Sequence, residues 1–566
     1  MKRRIAIAIG LAGLGAYRFR RQWIGRLLGL TPARYHVAVE RNLPVPMPDG
    51  VILMADHYMP QAQGTFPTVL IRSPYGRGLD VPLLGLRFIF IAQRFAERGY
   101  HVIVQGTRGR FDSGGEFEPF VNEAADGQAT LDWIASQPWF DGNLGMWGPS
   151  YLGYVQWAVA AGAPAHLKAL VPSLTTSRRY AFIYPDGPFS LDTALRWILL
   201  LDTMDQPVWK MLGRLRTQER TVAPALQHLP AGEADARAVG QPVSFYRDWL
   251  IHPDADDPYW NGSDHGTGME RVTAPIHLMS GWYDIFLRGL LDDYAALKAT
   301  GHVPYLTIGP WFHLESEPAW EALRLGIDWF DVHLKGDRRR LREHPVRIYV
   351  MGANEWREMA DWPPPAQETR YYLSAGQRLS IDGPAGTTSA DHYRYDPANP
   401  TPVVGGALFN PQGGPQDNRS LEARPDVLCY TTHPLTADVE VIGPVRLELY
   451  VRSSLAHTDF VGRLCDVHPD GRSMNVCDGI LRVEPGTGEP QPDGSLRIEI
   501  DMWATAHRFR RGHRIRLQVA SAGHPRWDRN LGTGEPIGTG TGMAVAVQTI
   551  YHDDTHPSAL VLPVNN

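Results

Sequence analysis

The chain has 566 residues, of which 43% are hydrophobic and 20% are charged, and these proportions exclude a largely disordered protein. At about 150 residues per domain, the length predicts three or four domains. The formal net charge of −6 excludes the basic surface that nucleic-acid binding normally needs, so no nucleic-acid partner is expected.

The first 30 residues differ in composition from the rest of the chain. Lys2, Arg3 and Arg4 precede an apolar run from Ile5 to Ala16, and more arginines follow. A helix over that run rises about 18 Å, which is short of the ~30 Å hydrocarbon core of a membrane. Three interpretations of residues 1–30 stay open: a signal peptide for export, a basic amphipathic anchor in contact with a membrane, and a solvated tail. The compartment stays open for the same reason.

From Tyr35 onward the pattern predicts strands that alternate with helices. Apolar residues alternate at residues 35–39 and 51–55, on either side of a Pro-Asp-Gly turn. Dense apolar runs at residues 68–71 and 101–104 are typical of parallel strands covered on both faces. Helical patterns are predicted at residues 88–98 and 123–136. This succession indicates an α/β domain.

The second half of the chain changes character twice. Apolar residues at helical spacing from Leu191 to Leu215 predict an inserted helical cap, and the α/β pattern returns at residues 276–279 and 305–308, followed by a helical stretch at 319–334. After Pro345 the helical period fades and short alternating strands predict an antiparallel two-sheet sandwich. These strands are predicted at residues 445–451, 496–500, 515–519 and 545–549.

The three cysteines, Cys429, Cys465 and Cys477, are too few for a disulfide framework. Reduced thiols in the core are the simpler interpretation, and one bridge between Cys465 and Cys477 stays open. The sequence contains no Cys-x-x-Cys pair and no His-Glu-x-x-His run. We therefore expect neither a metal nor a cofactor.

A serine between a predicted strand and a predicted helix is the candidate nucleophile. Ser150 lies within Gly145–Gly153, directly before a helical pattern, as does the serine of a nucleophile elbow. A helix N-terminus at this point also favours a developing negative charge. The usual Gly-x-Ser-x-Gly spacing is not met, because the last glycine comes one residue late, and an ordinary loop stays the alternative for this motif alone.

Two later segments supply the partners that a serine nucleophile needs, a base and an acid that orients the base. Asp284 ends the predicted strand that begins at Ile276, and His313 ends the one at Leu306. Carboxyl ends of such strands are where α/β sheets bind ligands. Taken singly, Asp284 is open to interpretation as a helix N-cap, and His313 is one of 21 histidines. The order Ser, acid, His at three strand ends predicts a catalytic triad.

At these residues the chain resembles the cocaine-esterase and Xaa-Pro dipeptidyl-peptidase family of serine hydrolases. The resemblance begins near Tyr35 and extends to the C-terminus. It is carried by several short motifs: Val45–Gly50, Arg72–Tyr75, Gly106–Gly109, Gly115–Phe117, Asp141–Gly145, Ser150–Gly153, Gly281–Asp284, Gly309–His313, Asp426–Tyr430 and Arg514–Val519. Pro149, directly before the serine, departs from the family pattern, and residues 1–30 lie outside it.

The resemblance implies a three-part architecture. An α/β-hydrolase core would comprise residues 31–175 and 274–345, a helical cap residues 176–273, and a C-terminal jelly-roll β-sandwich residues 346–566. This arrangement agrees with the patterns described above.

The resemblance also assigns roles to individual residues. It implies a triad of Ser150, Asp284 and His313, with an oxyanion hole formed by the Tyr75 hydroxyl and the backbone N–H of Tyr151. From its position alone, Tyr75 would be interpreted as a packing residue at a strand end. The resemblance further implies an acyl pocket lined by Tyr184, Trp197 and Phe286. The alternative is that these three residues serve only in ordinary core packing.

Three functions remain in competition at this stage. The first is an esterase or amidase that accepts small-molecule substrates with bulky or aromatic acyl groups. The second is an Xaa-Pro dipeptidyl peptidase, which needs an anionic subsite for the peptide amine. Related α-amino-ester hydrolases carry extra carboxylates close to the catalytic acid. Here Ile285 and Phe286 follow Asp284, so that cluster of carboxylates is not expected. The third is a catalytically silent protein that binds through its jelly roll. The physiological substrate and the oligomeric state stay open.

Overall fold

The computed structural model describes residues 21–78, 82–384, 386 and 389–565. It divides into two compact units. Unit 1 comprises Met1–Ser173, Gly268–Leu278 and Ser316–Glu343, and unit 2 comprises Leu174–Thr267, Met279–Glu315 and His344–Asn566. The three-part division predicted from the sequence follows the family resemblance and stays a prediction.

Unit 1 is an α/β structure around a mostly parallel sheet. Its strands are β1 (Val37–Pro46), β2 (Ile52–Pro60), β3 (Phe66–Ser73), β4 (His101–Gly106), β5 (Phe140–Pro149) and β6 (Leu167–Ser173). They lie in the order β1-β2-β4-β3-β5-β6, with parallel pairing among the last four. Its main helices are Pro82–Ala96, Glu123–Ala135, Tyr151–Ala160 and Glu317–Lys335.

The continuous apolar runs at β3 and β4 explain why these strands could be recognised in the sequence. Val69, Leu70 and Ile71 are all 0% exposed, as expected for a strand covered on both faces. The two strands pair in parallel from Thr68 opposite His101 onward. This buried centre places the carboxyl end of β5 beside that of β6, where Pro149 pairs with Ser173.

Unit 2 contains a second group of strands and the helical region. The strands are β7 (His277–Tyr283), β8 (Tyr305–Phe312), β9 (Val346–Val350) and β10 (Glu355–Met359). They are neighbours in the sheet in that order. The first two residues of β7 belong to unit 1. A Cβ atom on Gly281 would lie 2.2 Å from the carbonyl oxygen of Trp311, so the close approach of β7 and β8 requires glycine there.

The helical region confirms the predicted helix-rich insertion but corrects one element. The single helical pattern from Leu191 to Leu215 is divided into Leu191–Met204 and Val208–Leu226, because Pro207 has no N–H to continue the first helix and instead precedes the second. The other helices of unit 2 are Arg179–Ile183, Ala234–Val239, Ser244–Ile251, Leu287–Ala299 and Arg419–Glu422. Short 3₁₀ turns lie at Ala231–Glu233 and Pro258–Trp260 in unit 2, and at Met269–Arg271 in unit 1.

The C-terminal part of unit 2 is an all-β domain that fits a jelly roll. Its longest strand pairs with three others, and Leu447, Leu449 and Val451 alternate along it with exposures of 0–1%, as the two-residue period of a half-buried strand requires. The strands are β11 (Gln367–Ser374), β12 (Arg378–Ser380), β13 (Asp391–Tyr395), β14 (Leu428–Thr431), β15 (Val439–Ser453), β16 (Thr458–Val467), β17 (Ser473–Val483), β18 (Glu489–Pro490), β19 (Leu496–Phe509), β20 (Arg514–Ala520), β21 (Ala546–Tyr551) and β22 (Ala559–Asn565).

The three interpretations of the N-terminal segment concern mainly residues 1–20, which lie outside the described residues. Residues 21–27 form a helix on which Trp23 and Leu27 are exposed. Arg21 ties this helix to the following segment, because its Nη1 donates to the carbonyl oxygen of Tyr35 at 2.6 Å. Within the described ranges, every helix is too short or too polar to cross a bilayer.

All three cysteines are free thiols, so the bridge between Cys465 and Cys477 is not formed. Cys465 and Cys477 are buried, and Cys429 is partly buried. Burial raises the pKa of the Cys429 thiol to about 12 and raises the pKa values of the other two well above the usual range.

Candidate active site

Ser150 lies on a strained turn between β5 and the helix Tyr151–Ala160. Its backbone angles are φ 59° and ψ −127°, a region that residues other than glycine rarely adopt and that is concentrated at functional sites. The turn is fixed from both sides: Ser150 N–H donates to the Ser173 carbonyl at 2.8 Å, and Gly153 N–H donates to the Ser150 carbonyl at 2.8 Å. This geometry is that of a nucleophile elbow.

The glycine two residues before the serine is required by close packing. A Cβ atom on Gly148 would lie 2.3 Å from the Cβ of Leu152, in the first turn of the helix. The departure from Gly-x-Ser-x-Gly therefore affects only the second glycine. Leu152 stands at that position, and its contact with Gly148 forms within the turn.

Tyr151 is anchored by a buried polar network behind the elbow. Its hydroxyl donates to Glu123 Oε1 at 2.8 Å and accepts from the Phe120 N–H at 2.9 Å. Glu123 in turn forms a 2.9 Å ion pair with Arg72, and both side chains are buried. Burial and the adjacent Glu123 raise the pKa of Tyr151 well above its usual value, so the hydroxyl stays protonated as a donor. The network holds the residue whose backbone N–H is the predicted oxyanion donor.

Tyr75, the other predicted oxyanion donor, follows β3 in the same unit. Its backbone N–H donates to Ser73 Oγ at 3.0 Å, and Arg110 Nε donates to the preceding carbonyl, that of Pro74, at 2.9 Å. The rings of Tyr75 and Tyr151 meet edge to face with centroids 6.5 Å apart. The structure thus brings the Tyr75 ring into contact with that of Tyr151, the residue that follows Ser150.

Asp284 and His313 form a buried acid–imidazole pair in unit 2. Asp284 follows β7 and His313 follows β8; Nδ1 of the imidazole lies 2.7 Å from Oδ1 of the carboxylate. The Asp284 side chain is 0% exposed and that of His313 is 5% exposed. A carboxylate at Nδ1 holds the imidazole in one orientation and selects the tautomer that carries its proton on Nδ1.

Ser280 holds the second oxygen of the acid, and sequence reasoning missed it. Its Oγ donates to Asp284 Oδ2 at 2.8 Å, and its side chain is fully buried in β7. Both carboxylate oxygens are therefore engaged, one by Ser280 and one by His313. The available signal was a small polar residue inside an otherwise apolar strand, four positions before the acid.

Asp284 is not the N-cap of the following helix, the alternative considered from the sequence. That helix is Leu287–Ala299, its N-cap is Phe286, and no side chain caps it. The Asp284 carboxylate is directed instead to Ser280 and His313. The polar contacts of the acid are thus those of a base-orienting group.

Phenylalanine rings surround the imidazole. Phe286 packs edge to face on His313 with centroids 5.3 Å apart, and Phe409 lies at 5.4 Å. Phe182 extends the cluster, 5.0 Å from Phe286. Of the predicted acyl-pocket residues, the structure brings only Phe286 into ring contact with His313 among the described contacts. Phe182 and Phe409 are far from it in sequence and were not predicted.

Tyr184 and Trp197 lie in an aromatic cluster of the helical region. The Tyr184 hydroxyl donates to the Trp249 carbonyl at 2.7 Å, and the Trp197 ring stacks on that of Trp249 with centroids 6.2 Å apart. Tyr184 also lines a cavity of ≈ 690 Å³. Of the described residues around that cavity, none is His313, Phe286 or Trp197. A role for Tyr184 and Trp197 in the acyl pocket stays a prediction.

The predicted site residues belong to both units. Tyr75, Ser150 and Tyr151 lie in unit 1, and Tyr184, Trp197, Asp284, Phe286 and His313 lie in unit 2.

Comparison with known proteins places the chain in a family. Residues 49–315 match the model of the X-Pro dipeptidyl-peptidase (S15 family), and residues 341–561 match that of the X-Pro dipeptidyl-peptidase C-terminal non-catalytic domain. Cocaine esterase of Rhodococcus sp. (strain MB1 Bresler) is 37% identical over 579 residues, which cover 93% of this chain and 98% of that protein.

Solved structures agree on the fold. An aminopeptidase from a marine sediment Thaumarchaeota archaeon superposes with a TM-score of 0.80 at 23% identity, covering 94% of this chain and 97% of the other. An α-amino acid ester hydrolase superposes with a TM-score of 0.75 at 24% identity, again covering 94% and 97%. In sequence, the chain matches cocaine esterase over nearly its full length and also matches the two family models. It therefore belongs to the cocaine-esterase and X-Pro dipeptidyl-peptidase (S15) family of hydrolases.

Proposed function

We propose that this protein is a serine hydrolase that cleaves carboxylic esters, and more slowly amides, through an acyl-enzyme. Ser150 is the nucleophile, His313 the general base and Asp284 the acid that orients the base. The observation that carries the proposal is the buried Asp284–His313 pair, with 2.7 Å between Oδ1 and Nδ1. With its proton on Nδ1, the imidazole has its lone pair on Nε2, which is the atom that must accept the serine proton.

The reaction proceeds in two halves. His313 Nε2 takes the proton of Ser150 Oγ as that oxygen attacks the acyl carbonyl, and the resulting oxyanion accepts hydrogen bonds from the Tyr75 hydroxyl and the Tyr151 N–H. The imidazolium then gives its proton to the leaving alcohol or amine, and the acyl group remains on Ser150. In the second half, His313 takes a proton from water, the hydroxide displaces Ser150 Oγ, and the free acid departs.

Bulky or aromatic acyl groups fit the surroundings of His313. Phe286 and Phe409 lie against the imidazole and Phe182 lies against Phe286, and such rings favour apolar and aromatic ligand groups. The name of the Rhodococcus relative describes an esterase, which supports ester substrates for this chain too.

A dipeptidyl peptidase is the second candidate, favoured by the match to the S15 family model. Such an enzyme needs a carboxylate for the peptide amine, and the residues after Asp284 supply a cation instead. Arg288, in the first turn of the next helix, is paired with Asp186 and, at 3.0 Å, with Asp501. Because Arg288 already contacts an oxygen of each carboxylate, these two groups are less available to an ammonium group. Ester cleavage is the better supported function.

The proposal is tested by substituting the nucleophile. Ser150→Ala is expected to lower turnover of an aryl benzoate ester on the order of 10⁶-fold, because the residues of a triad act as a unit. Ser136→Ala is the matched control, since Ser136 is an exposed serine of the same unit and its loss leaves the chemistry intact. A fluorophosphonate probe is expected to label wild type and Ser136→Ala, but not Ser150→Ala.

Two outcomes would overturn parts of this assignment. Labelling of Ser150→Ala would move the nucleophile elsewhere, and failure of wild type to react with the probe would favour a catalytically silent binding protein. Cleavage of a Gly-Pro anilide in preference to the aryl ester would establish the peptidase as the function.

A further inference from the structure

A second cluster of titratable side chains lies in the β domain and has no part in the proposed reaction. It consists of Asp466, His468, His507 and His513, which we call the β-domain histidine cluster. Asp466 is 2% exposed and His507 is 7% exposed, whereas the side chains of His468 and His513 are 28% and 14% exposed. The cluster therefore has a buried carboxylate at its centre and imidazoles that solvent can reach.

Strand pairing brings these residues together from distant parts of the chain. Strands β16 and β20 pair with Asp466 opposite Ile515 and Val467 opposite Arg514, so the same register sets His468 opposite His513. Residues two apart on a strand share a face, which puts Asp466 on the side of His468. The His468 and His513 rings lie 4.5 Å apart between centroids.

Tight turns hold the two exposed imidazoles at the ends of their strands. His468 N–H donates to the Arg472 carbonyl at 2.8 Å, and His513 N–H donates to the Arg510 carbonyl at 2.9 Å. The backbone of both residues is therefore fixed.

Hydrogen bonds join Asp466 to His507 and His513 but leave out His468. His513 Nδ1 lies 2.8 Å from Asp466 Oδ1, and His507 Nε2 lies 3.0 Å from Asp466 Oδ2. These two contacts occupy both carboxylate oxygens. His468 Nε2, at 3.9 Å from Oδ2, is beyond hydrogen-bond range, although its ring is held against that of His513.

The remaining geometry suits a divalent metal. One donor atom each from Asp466, His468 and His513 lie within 4.8 Å of one another. Ligand atoms bound to Zn²⁺ at about 2.0–2.1 Å in a tetrahedron lie about 3.4 Å apart. To reach that spacing, the partly exposed His468 side chain would rotate and a metal bond would replace the hydrogen bond at His513.

We propose that Asp466, His468 and His513 form a binding site for Zn²⁺ or a chemically similar divalent ion, with solvent as the fourth ligand. Imidazole nitrogen and carboxylate oxygen are the ligand types that zinc accepts. His507 is not a ligand but supports one, because its Nε2 holds Asp466 Oδ2 from the buried side. Metal-binding carboxylates are commonly held in place by hydrogen bonds of this kind.

Sequence motifs did not reveal this site because its ligands come from two hairpins. His468 follows β16, whereas His513 precedes β20, and the 44 intervening residues include two further long strands. Our expectation of no metal rested on local runs such as His-Glu-x-x-His, which detect ligands on one element. A site built across paired strands has no such signature.

Zinc binding to the full-length protein tests the proposal. After chelator treatment, wild type is dialysed against micromolar free Zn²⁺ and the bound metal is measured, together with the thermal shift. His468→Ala and His513→Ala are expected to weaken binding of one ion at least tenfold and to remove the associated rise in Tm. His392→Ala is the matched control, because His392 is an exposed histidine of the same domain that bonds Thr549 and lies outside the β-domain histidine cluster.

Folding of the variants is checked by their Tm without metal. His468→Ala is expected to stay near wild type, whereas His513→Ala is expected to have a somewhat lower Tm because it loses the 2.8 Å contact with the buried Asp466 carboxylate. Co²⁺ is expected to give the visible absorption of a four-coordinate site in wild type and in His392→Ala only. The proposal is overturned if wild type binds no zinc under these conditions, or if His468→Ala and His513→Ala retain the zinc stoichiometry and affinity of wild type.

Discussion

Replacing Ser280 by alanine tests whether the acid of the proposed triad depends on a second hydrogen bond. The substitution removes the 2.8 Å bond to Asp284 Oδ2 and leaves the contact with His313. A hydrogen bond to a charged group contributes about 1.5–3 kcal/mol. Because the bond to Asp284 is present in both the ground state and the transition state, only part of this energy appears in the rate. We expect kcat for an aryl ester to fall about tenfold, corresponding to about 1.4 kcal/mol, with little change in KM.

This loss is far smaller than the ~10⁴-fold that removal of a triad aspartate causes in other enzymes, because Asp284 remains in contact with the imidazole. Without the Ser280 hydroxyl the carboxylate is less stabilised and attracts the His313 proton more strongly. The acid limb of the pH–rate profile is therefore expected to move to higher pH. A purely structural role for Ser280 would not shift this limb.

Ser177→Ala is the matched control, because Ser177 Oγ donates to another buried carboxylate, Asp293 Oδ1, at 2.5 Å. The assay is made at pH 8, where Asp293, whose pKa is raised by burial to about 7, is largely ionised. Both variants are expected to lose stability, and only Ser280→Ala is expected to lose kcat. If Ser280→Ala keeps the wild-type kcat and pH profile, or if Ser177→Ala loses kcat equally, the reasoning about Ser280 is refuted.

Two further predictions concern the oxyanion hole and the dependence of stability on pH. Tyr75→Phe is expected to lower kcat by about 10²-fold with KM nearly unchanged, because it removes one oxyanion donor; wild-type kinetics would make Tyr75 a packing residue. Burial raises the pKa of Asp293 from its usual value of 3.8 to about 7, so the native state binds this proton more tightly than the unfolded state. The free energy of unfolding therefore falls by up to about 4 kcal/mol as pH rises from ~4 to ~7. Asp293→Asn is expected to lack this decline in urea titrations across that range, and an unchanged profile would assign the pH dependence to other groups.

The parts of the fold that could be predicted are those with a strong local pattern. The runs at residues 68–71 and 101–104 became β3 and β4 because strands buried on both faces must be apolar throughout. The break at Pro207 could have been placed from the sequence, since proline ends a helix. The extra length of β1 could not, because its register shifts between Glu40 and Leu43 and such a bulge leaves little trace in apolar spacing.

The candidate site was predictable where chain order and strand ends determine it. Asp284 and His313 could be named because each directly follows an apolar run, and they are in contact in the structure. Ser280 was missed because its contact with Asp284 depends on the chain turning after Tyr283, which periodicity does not encode. Phe409 was missed for a different reason: it reaches His313 from the β domain, far along the chain, and only tertiary packing determines that contact.

The buried cysteines make this protein a convenient starting point for chemical labelling. A thiol reacts as its thiolate, and burial keeps Cys429, Cys465 and Cys477 protonated at neutral pH. A maleimide dye should therefore leave the natural chain largely unmodified. One cysteine introduced at an exposed position, such as Ser136, would then carry the dye alone, and fluorescence could follow each unit without first removing the native thiols.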